Sequence, residues 1–299
     1  MKLIVKLMVF VFCAVSVTAC QKEVDWNITP DIGTGGTGGG GPIDTTIGTT
    51  NGELLVRARA ISTNGADTNN LTLDYDANKR MIRYTSTGRS NGFPVDANYY
   101  INRLPNGNIS TIRFVPFTAL TGIDSIIYQV HYLPGTSQLT YATSKRTATG
   151  IDITDSTAFT YNAQGLIVKK VYYMESFIAT GMQKTTETLF AYDARKNITN
   201  ITSTTYNPID GSSMGTSATS LSYDNHKSAQ AVGEESFVLD IFDGSATSPN
   251  NLVAKSSGGQ PSATLTDILF NSFDRPYRGK LTAFAPTGTI TSYFTYYYQ

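Results

Sequence analysis

The chain has 299 residues, of which 15% are charged, with 23 basic and 23 acidic side chains. The predicted leader contains two of the basic residues, Lys2 and Lys6, and none of the acidic ones, so the mature chain has a net charge of −2. This balance provides no basic face for a phosphate backbone and argues against nucleic-acid binding. The only cysteines are Cys13 and Cys20, so the rest of the chain offers no disulfide and no thiolate metal site.

The amino terminus predicts an exported, lipid-modified protein. After Lys2 and Lys6, an apolar run extends from 7 to 17, which is shorter than the roughly 20 residues of a membrane-spanning helix. Such a run after a positive start is typical of a secretory signal peptide, here residues 1–19. The sequence Val-Thr-Ala-Cys at 17–20 resembles the lipobox of bacterial lipoproteins. This resemblance implies acylation of Cys20, with palmitate-type chains that bind the protein to a membrane.

The residues after Cys20 indicate where in the cell the protein is located. Gln-Lys-Glu-Val-Asp at 21–25 resembles the acidic export signal of Bacteroidetes lipoproteins displayed on the outer face of the outer membrane, although a valine interrupts the acidic run. The resemblance implies a cell-surface location in the outer membrane. The alternative is a generic polar start to a linker.

Residues 20–52 are predicted to form the lipidated start and a flexible tether, because segment 26–52 is dominated by Gly and Thr. Such a composition cannot bury enough apolar surface to offset the entropy lost on ordering. The folded domain is then expected at 53–299, which is long enough for a sizeable core.

A repeated motif runs through the predicted domain. In each copy, a strand of alternating apolar and polar residues ends in Tyr, and the next residue is Asp or Asn. A second strand begins after about three turn-forming residues. The pairs are Tyr75-Asp76, Tyr161-Asn162, Tyr192-Asp193 and Tyr223-Asp224. The last three tyrosines are 31 residues apart. The Asp or Asn can accept hydrogen bonds from backbone N–H groups two residues on, as in hairpin turns.

These hairpins predict an all-β fold in which antiparallel hairpins form an extended curved meander or an open barrel. Helical periodicity is nearly absent, and a short helix is conceivable only at 229–241. The lipobox, the tether and the spaced Tyr-Asp pairs resemble Bacteroidetes lipoproteins built of YD-type repeats. The Ser-Pro-Asn-Asn at 248–251 matches a segment of those proteins. The resemblance supports the predicted fold and location, and it implies no biochemical activity.

The sequence favours a non-enzymatic role without cofactor or metal. The two histidines, His131 and His226, would have to converge to hold a metal. Ser213 in Gly-Ser-Ser-Met-Gly lacks the strand-to-helix context of a nucleophile elbow. Asp240 and Asp243 are either paired carboxylates or a turn.

A binding or structural role in the cell envelope is the leading hypothesis. Aromatic side chains exposed on a sheet can stack on sugar rings, and the candidates are Tyr99, Tyr100, Tyr172, Tyr173, Tyr296, Tyr297 and Tyr298. Cross-strand packing is the other use of such residues. The ligand is then a glycan or an envelope protein. A hydrolase of envelope or environmental polymers and a subunit of an outer-membrane complex are the alternatives.

Overall fold

The computed structural model describes residues 49–63, 65, 67–90, 93–94, 96–116, 123–148, 151–175, 181–229, 248–285 and 288–299. Cys20, the tether up to residue 48, the conceivable helix beyond residue 229 and the carboxylates Asp240 and Asp243 lie outside these residues. Within the described residues, no helix is long and apolar enough to cross a membrane.

The described residues form strands throughout. They are β1 (Leu55–Ser62), β2 (Thr68–Tyr75), β3 (Met81–Ser90), β4 (Phe93–Pro94), β5 (Ala97–Arg103), β6 (Ile109–Pro116), β7 (Ile123–Tyr132), β8 (Leu139–Ala148), β9 (Ile151–Tyr161), β10 (Ile167–Glu175), β11 (Met182–Tyr192), β12 (Ile198–Tyr206), β13 (Ser213–Lys227), β14 (Asn250–Ser257), β15 (Gln260–Phe270), β16 (Pro276–Ala285) and β17 (Gly288–Tyr298).

Sixteen of these strands form a closed antiparallel barrel. Each strand pairs with its neighbours in sequence, and β17 pairs with β1, where Leu55 lies opposite Tyr298. The two-residue strand β4 pairs with β3, and β3 also pairs directly with β5, so that β3 and β5 are neighbours in the ring. The predicted all-β architecture of repeated antiparallel hairpins is confirmed. The meander closes on itself, and closure removes the two free sheet edges that an open meander would leave.

Short turns occur at both ends of the barrel, as at Gly258 and Gly259 between β14 and β15. Five turns at the other end, which we name the tight-turn end, share one hydrogen-bond pattern, which begins at Asp76, Leu104, Asn162, Asp193 and Asn271. In the first, the Asp76 N–H donates to the Arg80 carbonyl oxygen and the Lys79 N–H donates to the Asp76 carbonyl oxygen, each at 2.9 Å. Lys79 has a φ of 60°, so this is a three-residue loop with a left-handed final residue.

Both chain ends of the described fold lie at the tight-turn end. Thr49 pairs with Tyr298 through two backbone hydrogen bonds. The side chain of Asn271 donates to the carbonyl oxygens of Thr50 and Gly52. Residues 49–52, which the sequence assigned to the tether, are therefore bonded to the barrel. The segment predicted to be a tether therefore precedes the barrel at its tight-turn end.

The inner face is apolar toward the tight turns. Inward side chains from nearly every part of the ring form one cluster, in which Ile109, Ile112 and Ile198 are fully buried. A barrel of 16 strands with an unfilled interior has an aqueous channel, and the side chains that line it are accessible to water. Because the inward side chains here are buried instead, they fill this half of the barrel. Toward the other rim the inward residues become small and polar, with Thr188 and Ser203 hydrogen-bonded at 3.0 Å.

The outer face carries charged and hydroxyl side chains along the strands, interspersed with exposed apolar ones such as Ile127 and Leu189. Asp74 pairs with Arg83 across β2 and β3, and Lys145 pairs with Asp152 across β8 and β9. Hydroxyl and amide groups also form cross-strand hydrogen bonds on this face, as in Thr204 with Thr216. The alternation that directs the apolar residues of each strand inward therefore leaves charged and hydroxyl side chains on the outside.

Candidate binding surface

The tyrosines proposed for glycan stacking divide between the two faces. Tyr99, Tyr296 and Tyr298 pack in or against the interior cluster. Tyr172 is registered with Thr157 and Thr186, which also face inward. Tyr100, Tyr173 and Tyr297 face outward, but they lie on β5, β10 and β17, with several strands between any two. The predicted set therefore forms no single stacking platform, because strand alternation sends adjacent tyrosines to opposite faces.

Tyr298 has a structural role instead. It is fully buried, and its phenol donates to the carbonyl oxygen of Pro276. Burial holds its pKa well above the usual range, as it does for Tyr75. Burial also raises the pKa of Tyr84 and Tyr296 to about 12.

The repeat tyrosines join neighbouring hairpins at the tight-turn end. We name Tyr75, Tyr132, Tyr161, Tyr192, Tyr223 and Tyr298 the tyrosine ring. Tyr192 donates to the Ile167 carbonyl oxygen at 2.6 Å, and Tyr161 accepts the Leu139 N–H at 2.8 Å. In each case the two strands are neighbours that no tight turn connects at this end. Turns and phenols therefore alternate around the rim, each joining one pair of strands.

The Asp or Asn that follows four of the ring tyrosines helps to build the turn. Asp76, Asn162, Asp193 and Asp224 accept the N–H of the residue two positions on, at 2.8 to 3.0 Å. Where the motif is looser, Arg103 takes the tyrosine's place and donates to the Met81 carbonyl oxygen at 2.8 Å. The Tyr, Asp and Asn residues of the repeats therefore have a structural role, in hydrogen bonds within turns and between strands.

The Ser-Pro-Asn-Asn sequence at 248–251, which directly follows segment 230–247, is hydrogen-bonded to the barrel. Ser248 accepts the Ile198 N–H at 3.0 Å and donates to Tyr223 at 2.9 Å. Asn250 and the fully buried Asn197 exchange two hydrogen bonds at 3.0 and 3.1 Å. Asn251 donates to Asp224 at 2.9 Å. These contacts fasten both flanks of the segment to the turns of neighbouring hairpins.

The groups with catalytic potential remain apart. His131 stacks on Tyr141 at 4.2 Å on the outer wall, whereas Nδ1 of His226 lies 2.6 Å from Oδ1 of Asp274 at the tight-turn end. The hydrogen bond with His226 lowers the pKa of Asp274. Ser213 is the exposed first residue of β13 and follows a hairpin loop, so it has no nucleophile-elbow geometry. Among the described residues, no group of three or more His, Cys, Asp or Glu side chains could hold a metal.

A concentration of cations on the outer wall was missed by sequence reasoning. Strands β16, β17 and β1 contain no Asp or Glu. Register places their outward side chains in rows across the wall: Lys280 lies beside Tyr293, Arg57 lies beside Tyr297, and Thr295 lies between Arg278 and Arg59. We name Arg57, Arg59, Arg278, Lys280, Tyr293 and Tyr297 the cationic sector. It joins the beginning of the domain to its end, so no local sequence window contains it.

The cations of this sector lack acidic partners within the described part of the chain. Arg59, Arg278 and Lys280 make no ion pair there, whereas Arg83 and Lys145 elsewhere on the wall each pair with a carboxylate. The guanidinium of Arg57 lies over the Tyr297 ring, 5.5 Å from its centre. The sector therefore keeps its positive charge available to an external ligand.

A depression lies beside this sector. It has a volume of about 430 Å³ and is lined by Asp267–Leu269, Arg278–Lys280 and Tyr293. The register of β15 against β16 shifts between Thr266 and Leu269, and Asp267 has a φ of 53°. The extra residues of this bulge bend the strand locally and open the depression.

No protein-family model matches the sequence, and no curated protein matches it. Solved structures do match the fold. A porin-like protein from Bacteroides uniformis is 9% identical, with a TM-score of 0.50, and the match covers 81% of this chain and 97% of that one. A porin-like protein from Bacteroides vulgatus is 10% identical, with a TM-score of 0.48, and covers 82% and 98%. At this identity the likeness shows that the chain shares the β-barrel fold.

Proposed function

We propose that this chain is a lipid-anchored protein of the outer membrane whose barrel stands in water and serves as a non-enzymatic binding component of the cell envelope. The observation that carries the proposal is the chemistry of the outer wall. Arg59, Arg113, Glu187 and Lys280 lie near the middle of their strands on the outside. Each Arg or Lys on a lipid-facing wall costs about 2–4 kcal/mol at the bilayer midplane.

The inner face supports the same conclusion. Membrane-spanning barrels place apolar residues outside and polar residues inside. In this barrel the interior of the half nearest the tight turns is instead a core of Leu, Ile, Phe and Tyr, and the outer wall carries charged side chains among its exposed apolar ones. The fold resembles that of porin-like proteins, but such a wall and core suit a closed scaffold in water better than a pore.

Membrane attachment is then assigned to the lipid on Cys20. The tether predicted at 20–52 joins the barrel at its tight-turn end, through the contacts of residues 49–52. The residues after Cys20 favour a location at the cell surface. In this arrangement the side wall of the barrel is open to ligands of the surrounding medium.

The test of anchoring uses the two cysteines as a matched pair. We expect Cys20→Ser to abolish incorporation of labelled palmitate and Cys13→Ser, inside the leader, to leave it intact. The wild-type chain should fractionate with the outer membrane. Palmitate labelling that persists in Cys20→Ser, or that is lost equally in Cys13→Ser, would contradict the proposal.

A further inference from the structure

We propose that the cationic sector is a binding site for an acidic polysaccharide, whose carboxylates pair with the arginines and the lysine while its sugar rings pack on the tyrosines. This inference rests on the proposed function for its setting, because the wall must face water. The site itself is defined by the described side chains alone. Its ligand class follows from their chemistry and spacing.

Charge determines the sign of the ligand. Arg57, Arg59, Arg278 and Lys280 face outward on β1 and β16, and the one carboxylate on β15 to β17 and β1 is Asp267. Arg59 and Arg278 flank Thr295 in the same register, one on each side of β17. Guanidinium groups bind carboxylates in a planar bidentate geometry, so the two arginines can bind acidic groups that project to either side of a polymer lying along β17.

Shape selects a linear polymer. Tyr293 and Tyr297 are four residues apart on the outer face of β17, which corresponds to about 13 Å along the strand. The three strands span roughly 10 Å across the sheet. A shallow strip of these dimensions accommodates an extended chain of a few sugar units. The flat faces of the tyrosines suit sugar rings, which a lipid phosphate headgroup does not provide.

The depression at the bulge gives the strip a defined end. Lys280 and Tyr293 border it on one side, and Asp267 borders it on the other. A carboxylate there can accept hydrogen bonds from sugar hydroxyls and repel a carboxylate placed too deeply. We therefore expect the polymer to run along β17, with a hydroxyl-bearing face over the depression.

The test measures binding of the purified full chain to polygalacturonate by affinity electrophoresis and calorimetry. Dextran is the neutral comparison, and vesicles containing phosphatidylglycerol represent an anionic lipid surface. We expect retention by polygalacturonate, weakened by salt because the charges are exposed. Arg278→Glu with Lys280→Glu should weaken binding at least tenfold, and Tyr297→Ala should weaken it severalfold.

A matched control changes the same charge elsewhere. Lys145→Glu with Lys169→Glu alters two outward cations on β8 and β10 and should leave affinity within twofold. Equal losses in both double variants, an unchanged affinity in the sector variant, or binding to the vesicles without binding to polygalacturonate would each overturn the proposal. Binding to polygalacturonate does not depend on acylation of Cys20, so failure here is distinct from failure of the anchoring proposal. Because the lipid on Cys20 would itself hold the chain on vesicles, vesicle binding counts only where the sector variant loses it.

Discussion

The hydroxyl of Ser248 donates to the phenol oxygen of Tyr223 at 2.9 Å and accepts the N–H of Ile198 at 3.0 Å. At other positions of the tyrosine ring the phenol reaches the neighbouring strand directly, as Tyr161 does with the Leu139 N–H. Here the serine that follows segment 230–247 is inserted between the two. The chain beyond the segment therefore completes the same rim.

Removal of this hydroxyl should destabilise the barrel. Ser248 is 1% exposed, and Ser248→Ala leaves the Ile198 N–H and the Tyr223 phenol without this partner. A buried polar group without a partner costs about 1–3 kcal/mol. We expect a loss of that size in the free energy of unfolding, measured by urea denaturation. Ser220→Ala on the exposed outer wall is the control and should change little; equal stability of the two variants would argue against the relay.

The phenols of the tyrosine ring should each contribute measurably. Tyr192→Phe keeps the packing of the ring but removes the hydrogen bond to Ile167, so we expect a loss of about 1 kcal/mol. Tyr100→Phe alters a tyrosine that is 41% exposed on the outer wall and should be neutral. Denaturation of the two variants side by side distinguishes a structural ring from chance contacts.

Strain at one turn offers a stabilising substitution. Lys196 has a φ of 69° in the turn after Asp193, a conformation that costs a residue with a side chain roughly 1 kcal/mol. Gly165 occupies the corresponding position after Asn162, with a φ of 76°. Lys196→Gly should raise the melting temperature, and Gly165→Ala should lower it. A decrease with Lys196→Gly would mean that its side chain contributes more than the backbone strain costs.

Alkaline pH should unfold the barrel. Burial raises the pKa of Tyr84 and Tyr296 to about 12, whereas the phenols of an unfolded chain ionise near 10. Above about pH 10 the unfolded state therefore loses protons that the folded state retains, and stability falls as pH rises. Phenolate absorbance should increase in step with loss of β-structure. Complete ionisation of the tyrosines with the fold intact would contradict the assigned burial.

The hairpin architecture was accessible from sequence because its signals are local. Tyr followed by Asp or Asn, with turn-forming residues next, specifies the turns at Asp76, Asn162 and Asp193 through side chains within four positions. The residue of each turn that adopts a positive φ was harder to predict from the sequence. After Asp76 the positive φ is at Lys79, although the preceding residue, Asn78, is of a type that adopts this conformation more readily. The position in the loop decides, and not the propensity of the side chain.

Closure and the faces of the tyrosines required the three-dimensional register. Nothing local shows that Leu55 and Tyr298 are partners, because 243 positions separate them. The run Tyr296 to Tyr298 suggests one aromatic patch, yet Tyr297 faces outward while Tyr296 and Tyr298 pack inward. The cationic sector was missed for the same reason, since Arg59 and Arg278 come to lie on either side of Thr295 only when β17 pairs with both β1 and β16.

Cleavage of the tether tests most directly whether the barrel stands in water. A protease site placed within residues 30–48 of the full chain would be cut in isolated outer membranes, and the barrel would then be followed by sedimentation. We predict that the uncut protein sediments with the membranes and that the cut barrel appears, folded, in the aqueous phase without detergent. Retention of the cut barrel in the membranes would show that its wall is embedded in lipid and would contradict the account.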